Sequence, residues 1–427
     1  MRILLVGCLA VTASCAPVQQ GHVRNSGMAP YVLIFAGDRD EKDSDFFAVV
    51  DVRPGSPTVG KAVATVPIGM TASMPHHMEY SLPAAGKLLF ANAHHHEATF
   101  LLDVADPFHP KIVRTLQPPA PLRFGHDFAR LSNGNLLLGF LRSEGASPVA
   151  GDTLLPGGHG GIAEYTATGD LIRLASAAVT TVAEPVRPYA FVPMLDIDRI
   201  VTTSAPMMED HSADVVQIWR YSDFKLLHTI AVPAGTRADV SPLPGAARFP
   251  FGPRLLKDGS VLMNAYGCGF YRLTDIASKT PKLTNVYTIQ VPDPVKAGST
   301  RGACSIPVIV GNYWIMPVGR AQMVVALDIS NPASPREVSR LKTPADFNPH
   351  WAATDPGSDR IVIGAELGGE HGMYLLKFDP VVGRLSFDAS LISKQGRVGY
   401  IDLEGQDWPH GDTGAAWGHA ALFLPQN

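Results

Sequence analysis

The sequence predicts an all-β protein: a single seven-bladed β-propeller closed by pairing N- and C-terminal strands in one blade. Three observations predict it. One phrase recurs, in which an apolar strand ends in Asp, a turn containing Pro follows, and a second strand begins. Short strands of similar make-up flank each copy at a spacing of roughly 40–60 residues, the period of propeller blades. The two ends of the chain supply complementary parts of one further unit.

The phrase is clearest as VVDVRPGSPTVGKAVATV from Val49, LLDVADPFHPKIVRTL from Leu101 and ALDISNPASPREVSRL from Ala326. RLTDIASKTPKLTNVYTI from Arg272 and LKFDPVVGRLSFD from Lys377 are weaker copies. Reading outward from each copy gives four strands, A to D, with β-branched or apolar B and C strands. Six units begin their A strands near His76, His126, Pro188, Gly252, Cys304 and Pro349. Their B strands are KLLFANA, NLLLGFL, RIVTTSA, SVLMNAY, YWIMPVG and RIVIGAE. YVLIFAG, FFAVVDV and KAVATVPI form B, C and D strands with no A strand before them, and HAALFLP is a lone strand at the other end. Together they make a seventh blade, which removes the exposed edges of an open stack. A count of six or eight is the rival reading, because the third and fourth units are irregular. Residues 142–160 and 393–417 break the rhythm as long loops, candidates for a lid or for tolerated insertion.

Composition agrees with a large closed architecture. The 427 residues are 46% hydrophobic and 17% charged, with 40 Gly and 36 Pro to serve many turns. The formal net charge is −4, with no basic run or Lys/Arg stripe, so nucleic acid is not an expected partner. Residues 1–15 read as a signal or lipoprotein segment, 16–28 as a linker and 29–427 as the propeller. Cys15 follows Thr12-Ala13-Ser14 in the manner of a lipid-attachment site, with simple cleavage nearby as the alternative. The expected location is therefore outside the cytoplasm, in the periplasm or anchored to the outer membrane. Cys268 and Cys304 are either a disulfide pair or two small buried residues.

The chemistry lies in the histidines. Of 15, all but His22, His109 and His228 fall at the start of an A strand, in the loop before one, or in a B–C link. In a propeller these places open onto the same end of the central channel. His76, His77, His126, His350 and His419 are A-strand positions, and only one of His76 and His77 is expected to face inward, since neighbours in a strand alternate. His94, His95 and His96 lie in the first B–C link, which is expected to contribute one or two rings, His95 among them. His159, His211 and His371 occupy other B–C links, and His410 the last loop. Imidazoles converging on an axis are ligands for copper, iron or zinc. The expected metal set is His76, His77, His95, His126, His350 and His419, with copper first and iron or zinc behind it. The bland alternative is a group of hydrogen-bonded core histidines.

Glu79, Asp127 and Glu370 are candidate catalytic carboxylates, and Glu97, Glu209 and Asp210 lie nearby. Arg187, Arg254 and His371 are candidate substrate-binding groups, with Arg320 near the same rim. Met207 and Met208 are soft donors or packing. No Ser-His-Asp order, phosphate loop or dinucleotide fingerprint is present.

The segments YVLIFAG to KAVATVPI, Pro75-His76-His77, FGHDFARLSNGNLLLGFL, ADVVQIWRYSDFKLLHTIAV, GCGFYRLTD and ALDISNPASPREVSRL, in this order and spacing, resemble the selenium-binding protein family. That resemblance implies a seven-bladed propeller. Members of the family include periplasmic, copper-dependent methanethiol oxidases, which convert methanethiol and oxygen to formaldehyde, sulfide and peroxide. His76-His77 matches the family's paired histidines, and His126 the second histidine of its His-x-x-His-Cys segment. The chain departs in having Met78-Glu79-Tyr80 where the family has Ser-Gly-Trp and a nearby Cys, and Arg123 and Asp127 in place of the first His and the Cys. The resemblance thus implies an oxidase acting on a small-molecule substrate, without the family's selenium-binding thiol. A non-enzymatic metal-binding lipoprotein and a metal-dependent lyase or hydrolase are the other readings.

Overall fold

A computed structural model of the chain describes residues 27–83, 88–145, 157–207, 211–233, 249–291, 304–366 and 372–425. They form seven antiparallel sheets around one axis. The first blade is β4 (Pro75–Met78), β5 (Leu88–Ala93), β6 (Ala98–Asp103) and β7 (Lys111–Leu116). The second is β8 (Leu122–Arg130), β9 (Leu136–Ser143), β10 (Gly158–Tyr165) and β11 (Leu171–Ser176). The third runs from β12 (Pro188–Met194) through β13 (Arg199–Ser204) and β14 (Val215–Arg220) to β15 (Lys225–Ala231). The fourth comprises β16 (Pro250–Leu255), β17 (Val261–Ala265), β18 (Gly269–Thr274) and β19 (Lys282–Thr288). The fifth is β20 (Val308–Val310), β21 (Tyr313–Val318), β22 (Met323–Asp328) and β23 (Arg336–Lys342). The sixth is β24 (Pro349–Thr354), β25 (Arg360–Ala365), β26 (Met373–Asp379) and β27 (Arg384–Phe387), with β28 (Tyr400–Ile401) pairing β26.

The closing blade joins the two ends. β29 (Ala416–Leu424) pairs β1 (Tyr31–Asp38), followed by β2 (Phe46–Asp51) and β3 (Ala62–Pro67). All of β1 and β2 is buried, which explains their near-continuous apolar run, whereas outer strands such as β7 are largely exposed. Phe35 stacks on Phe47 at 4.1 Å between ring centroids, part of a core shared with the first and sixth blades. Among the described residues no helix is long and apolar enough to cross a membrane.

The repeated Asp has a local cause. Asp51, Asp103, Asp328 and Asp379 each accept the backbone N–H two residues ahead, at 2.8–2.9 Å, and so start the C–D turn. Between the sixth blade and the closing blade, Arg360 is fully buried. It pairs with Asp355 at 3.0 Å and donates to the Ala29 and Val52 carbonyls. Cys268, after β17, and Cys304, before β20, form a disulfide between the fourth and fifth blades.

One irregularity decides where the site forms. In six blades the inner strand loses register with its neighbour near its start, the mark of a β-bulge. The extra residues are His76-His77, His126-Asp127, Tyr189-Ala190, Phe251-Gly252, His350 and His419-Ala420. A bulge breaks the two-residue alternation, so His76 and His77 are both fully buried with their rings stacked at 4.1 Å. The expectation that only one of them faces inward is corrected by this bulge.

Candidate metal centre

Side chains of the adjacent B strands hold several of these bulges in place. In the first blade, Asn92 of β5 accepts from the His77 N–H at 3.0 Å. Its amide donates to the Gly125 and His126 carbonyls at 3.0 and 2.6 Å. The equivalent next-to-last residues of β13 and β17 do the same: Thr203 binds the Phe251 carbonyl and Asn264 the Ser305 carbonyl, both at 3.1 Å. In β25 this position is Gly364, where a Cβ would stand 2.2 Å from the His419 carbonyl oxygen. These positioning residues escaped the sequence reading. Their signal is a small or amide residue just before the last residue of a B strand.

Six imidazoles converge at this end of the channel from four consecutive blades: His350, His419, the trio His76, His77 and His94, and His126. His76 lies 3.8 Å from His94, 4.5 Å from His419 and 5.1 Å from His126 between ring centroids. His77 lies 4.4 Å from His126, and His350 lies 4.7 Å from His419. Donor nitrogens of His76, His77 and His126 come within 4.8 Å of one another, and so do those of His77, His350 and His419. The remaining three blades present Tyr189, Phe251 and Ile306 to the axis, and Tyr189 packs on His126 at 3.9 Å. The channel end is therefore half imidazole and half apolar wall.

These rings are poorly satisfied. Both nitrogens of His77, His94 and His419, Nδ1 of His76, and Nε2 of His126 and His350 are buried without a hydrogen-bond partner among the described residues. Such atoms are uncommon in a native interior. Burial, then repulsion from neighbouring rings, holds His76, His94 and His126 well below the ordinary value of 6.5. His77 and His419 are lowered likewise, with Arg254 adding to the effect at His77, and burial lowers His350. All six are neutral at pH 7 and carry lone pairs. His126 Nδ1 donates to the Tyr189 carbonyl at 2.9 Å, which leaves the Nε2 lone pair facing the cluster. His350 Nδ1 is held by the Ser305 hydroxyl at 3.0 Å.

The other candidates are placed as follows. His95 is exposed and bonded through Nδ1 to the Ala72 carbonyl at 2.9 Å, so it does not join the cluster. The turn at 94–97 begins at His94, whose ring takes the inward place. Asp127 is buried, accepts from the Tyr80 hydroxyl at 2.8 Å and lies 3.5 Å from His77 Nδ1. Burial raises its carboxyl, against the pull of His126 and Tyr80. Glu79 points elsewhere: Arg130 grips it at 2.8 and 2.5 Å and the Phe90 N–H donates to it at 2.9 Å, an interstrand clasp. Arg187 is fully buried and donates to the His211 and Leu141 carbonyls at 2.7 and 3.1 Å, which makes it a structural tie. Arg254 lies 4.5 Å over the Tyr80 ring and donates to the Pro253 and Pro307 carbonyls, beneath the histidines. His159 accepts from the Val186 N–H at 3.1 Å, and His410 binds Thr65 on the outer strand β3 at 2.7 Å. Glu366, whose charge acts on His350, is a nearby carboxylate that the sequence reading passed over. Glu370, His371, Met208, Glu209, Asp210 and Cys15 lie outside the described residues.

No family model matches the sequence, and no curated protein matches it. In structure the chain is similar to a hypothetical selenium-binding protein from Sulfolobus tokodaii, with a TM-score of 0.69 at 16% identity over 94% of both chains. It is similar to a periplasmic gluconolactonase from Pseudomonas aeruginosa, with a TM-score of 0.60 at 12% identity over 83% of this chain and 94% of that one. A Lactobacillus plantarum protein aligns with a TM-score of 0.58 at 12% identity over 93% of this chain and 100% of that one. At these identities the likeness is one of fold.

Proposed function

We propose that the histidine cluster is a transition-metal centre and that the chain is an exported, metal-dependent oxidoreductase, a thiol oxidase of the methanethiol oxidase kind. The observation that carries this reading is the clustering of buried imidazoles whose nitrogens, apart from those of His126 and His350 held by Tyr189 and Ser305, make no geometrically sound hydrogen bond among the described residues. Buried neutral imidazoles without protein partners cost free energy unless a ligand takes up their lone pairs. The donor set is nitrogen alone, which suits copper first, then iron or zinc. His77 with His76 and His126, or His77 with His350 and His419, would hold a metal, and His94 stands beside His76. When bound, copper or iron supplies Lewis acidity and a place for electrons from the substrate.

The chain's own residues do the rest. Hydrogen bonds to the Tyr189 carbonyl and the Ser305 hydroxyl fix the rings of His126 and His350. Tyr189 and Phe251, with Tyr266 packed 4.5 Å from Phe251, offer a small apolar substrate a dry wall opposite the imidazoles. Asp127 Oδ1, beside His77 Nδ1 and Tyr80, is the acceptor placed to take a proton from a thiol. The likeness to a selenium-binding protein agrees with this reading, and the missing family cysteines leave sulfur chemistry to the substrate alone. The likeness to a gluconolactonase favours a second reading, hydrolysis at the same face.

Untagged protein reconstituted with copper, iron and zinc is expected to retain transition metal after desalting. His126→Ala and His350→Ala are each expected to weaken retention by about 10-fold or more. The copper form is expected to consume oxygen with a small thiol, and both variants to lose that activity. No retained metal sinks the metal centre. Metal without turnover leaves a binding protein, and lactone cleavage without oxygen uptake selects the hydrolase.

The buried Cys268–Cys304 disulfide supports an oxidising compartment. We propose that Cys15 carries lipid and anchors the chain to the outer membrane. Cys15→Ser is expected to move the protein from the membrane fraction to the soluble periplasmic fraction; an unchanged distribution would sink the anchor.

A further inference from the structure

We infer that the centre is built for two metal ions side by side, each held by three imidazoles. This rests on the proposed metal binding and adds the nuclearity of the site. Among the described residues the donors form two trios, His76, His77 and His126, and His77, His350 and His419, and no larger group. Two nitrogens on one ion at about 2.1 Å lie no more than about 4.2 Å apart. Each trio, within 4.8 Å, is close to that limit on its own, whereas the trios do not merge into one shell. A single ion on either trio would leave the two rings of the other that it does not share, His76 and His126 or His350 and His419, buried with nitrogens that make no hydrogen bond.

His77 is common to both trios, and His94, whose donor atoms belong to neither trio, is the neighbouring ring that would relieve the sharing. The His94 ring lies 3.8 Å from His76 and 5.6 Å from His126, and both its nitrogens lack partners. With His94 joining His76 and His126, His77 is free for His350 and His419. The six imidazoles then divide evenly, three and three. The blades divide the same way: the first set comes from the B–C turn and bulge of the first blade and the bulge of the second. The second set comes from the first, sixth and closing blades. The bulge at His76-His77 is what lets one strand serve both ions.

A pair of adjacent redox metals has a chemical consequence. A pair of redox ions would supply two electrons together, the number that passes to dioxygen when one methanethiol, one water and one dioxygen give one formaldehyde, one hydrogen sulfide and one hydrogen peroxide, with the thiol and water supplying the two protons of the peroxide.

The test is metal stoichiometry in the untagged full chain. After loading with copper, or with zinc as a redox-inert probe, and exhaustive desalting, two ions per chain are expected by elemental analysis. One ion per chain overturns this inference and leaves the metal centre standing; none overturns both. In the copper(II) form, spin quantitation is expected to account for well under half of the copper, because neighbouring spins couple. A signal equal to the total copper counts against a pair. His94→Ala is expected to hold one ion and to recover the full signal of that ion. Retention of two ions by folded His94→Ala overturns the three-and-three division.

Discussion

Acidifying the metal-free protein from pH 7 to pH 5 is expected to unfold it. Six buried imidazoles sit below their ordinary value of 6.5, all lowered first by burial. In the unfolded chain the same rings protonate near 6.5, so below that pH the unfolded state binds more protons than the folded one. Stability is therefore flat above about pH 6.5 and falls below it, by about 1.4 kcal/mol per pH unit for each ring held neutral. Three such rings alone remove about 4 kcal/mol in one unit, from a total of about 5–15 kcal/mol. Asp45, Asp127 and Glu79, whose carboxyls burial raises, work in the opposite direction as they protonate in the fold, and offset part of the loss. Metal, if held by the neutral rings as proposed, is expected to move the transition to lower pH as free metal rises. Denaturant unfolding at pH 7.5, 6.5 and 5.5, with and without metal, checks this. Equal stability of the metal-free protein at 7.5 and 5.5 would show that the rings are not held neutral.

Arg360→Met is expected to cost about 3–5 kcal/mol, the range for leaving one partner of a buried ion pair alone. The guanidinium is fully buried between the sixth blade and the closing blade. Its loss strands the Asp355 carboxylate and frees the Ala29 and Val52 carbonyls in a dry interface. Asp355 keeps the Ala29 N–H at 3.0 Å and the Ser358 hydroxyl at 2.6 Å, which prevents a larger loss. The effect is expected to appear in the denaturant midpoint, with fraying of β1 and β29 seen by hydrogen exchange, because the ring closes there. A change below about 1 kcal/mol would mean that β29 pairing alone carries closure.

The blades were legible because their repeat is local chemistry. Asp51, Asp103, Asp328 and Asp379 mark turns by their own hydrogen bonds, and the buried strands read as apolar runs. The histidine face was legible for the same reason, since chain position in a blade sets which end of the channel a residue reaches. Individual side chains were harder. Alternation places one of His76 and His77 inward, and a bulge, which has no sequence mark here, places both. His94 and His95 exchange roles through one residue of turn geometry. Arg187 and Glu79 look like site residues until their partners are known, because Leu141, His211 and Arg130 come from elsewhere in the chain.

The bulges carry a wider consequence. Each spends one ladder step of its blade whatever side chain stands on it, so the residue shown to the axis is uncoupled from strand pairing. The channel end is thus a ring of interchangeable sockets, four of them now fitted with imidazole and two with the aromatic rings of Tyr189 and Phe251. Replacing a ring in one socket alters the donor set at the axis without asking any sheet to re-register. A fold of this kind can gain or shed imidazole donors one blade at a time.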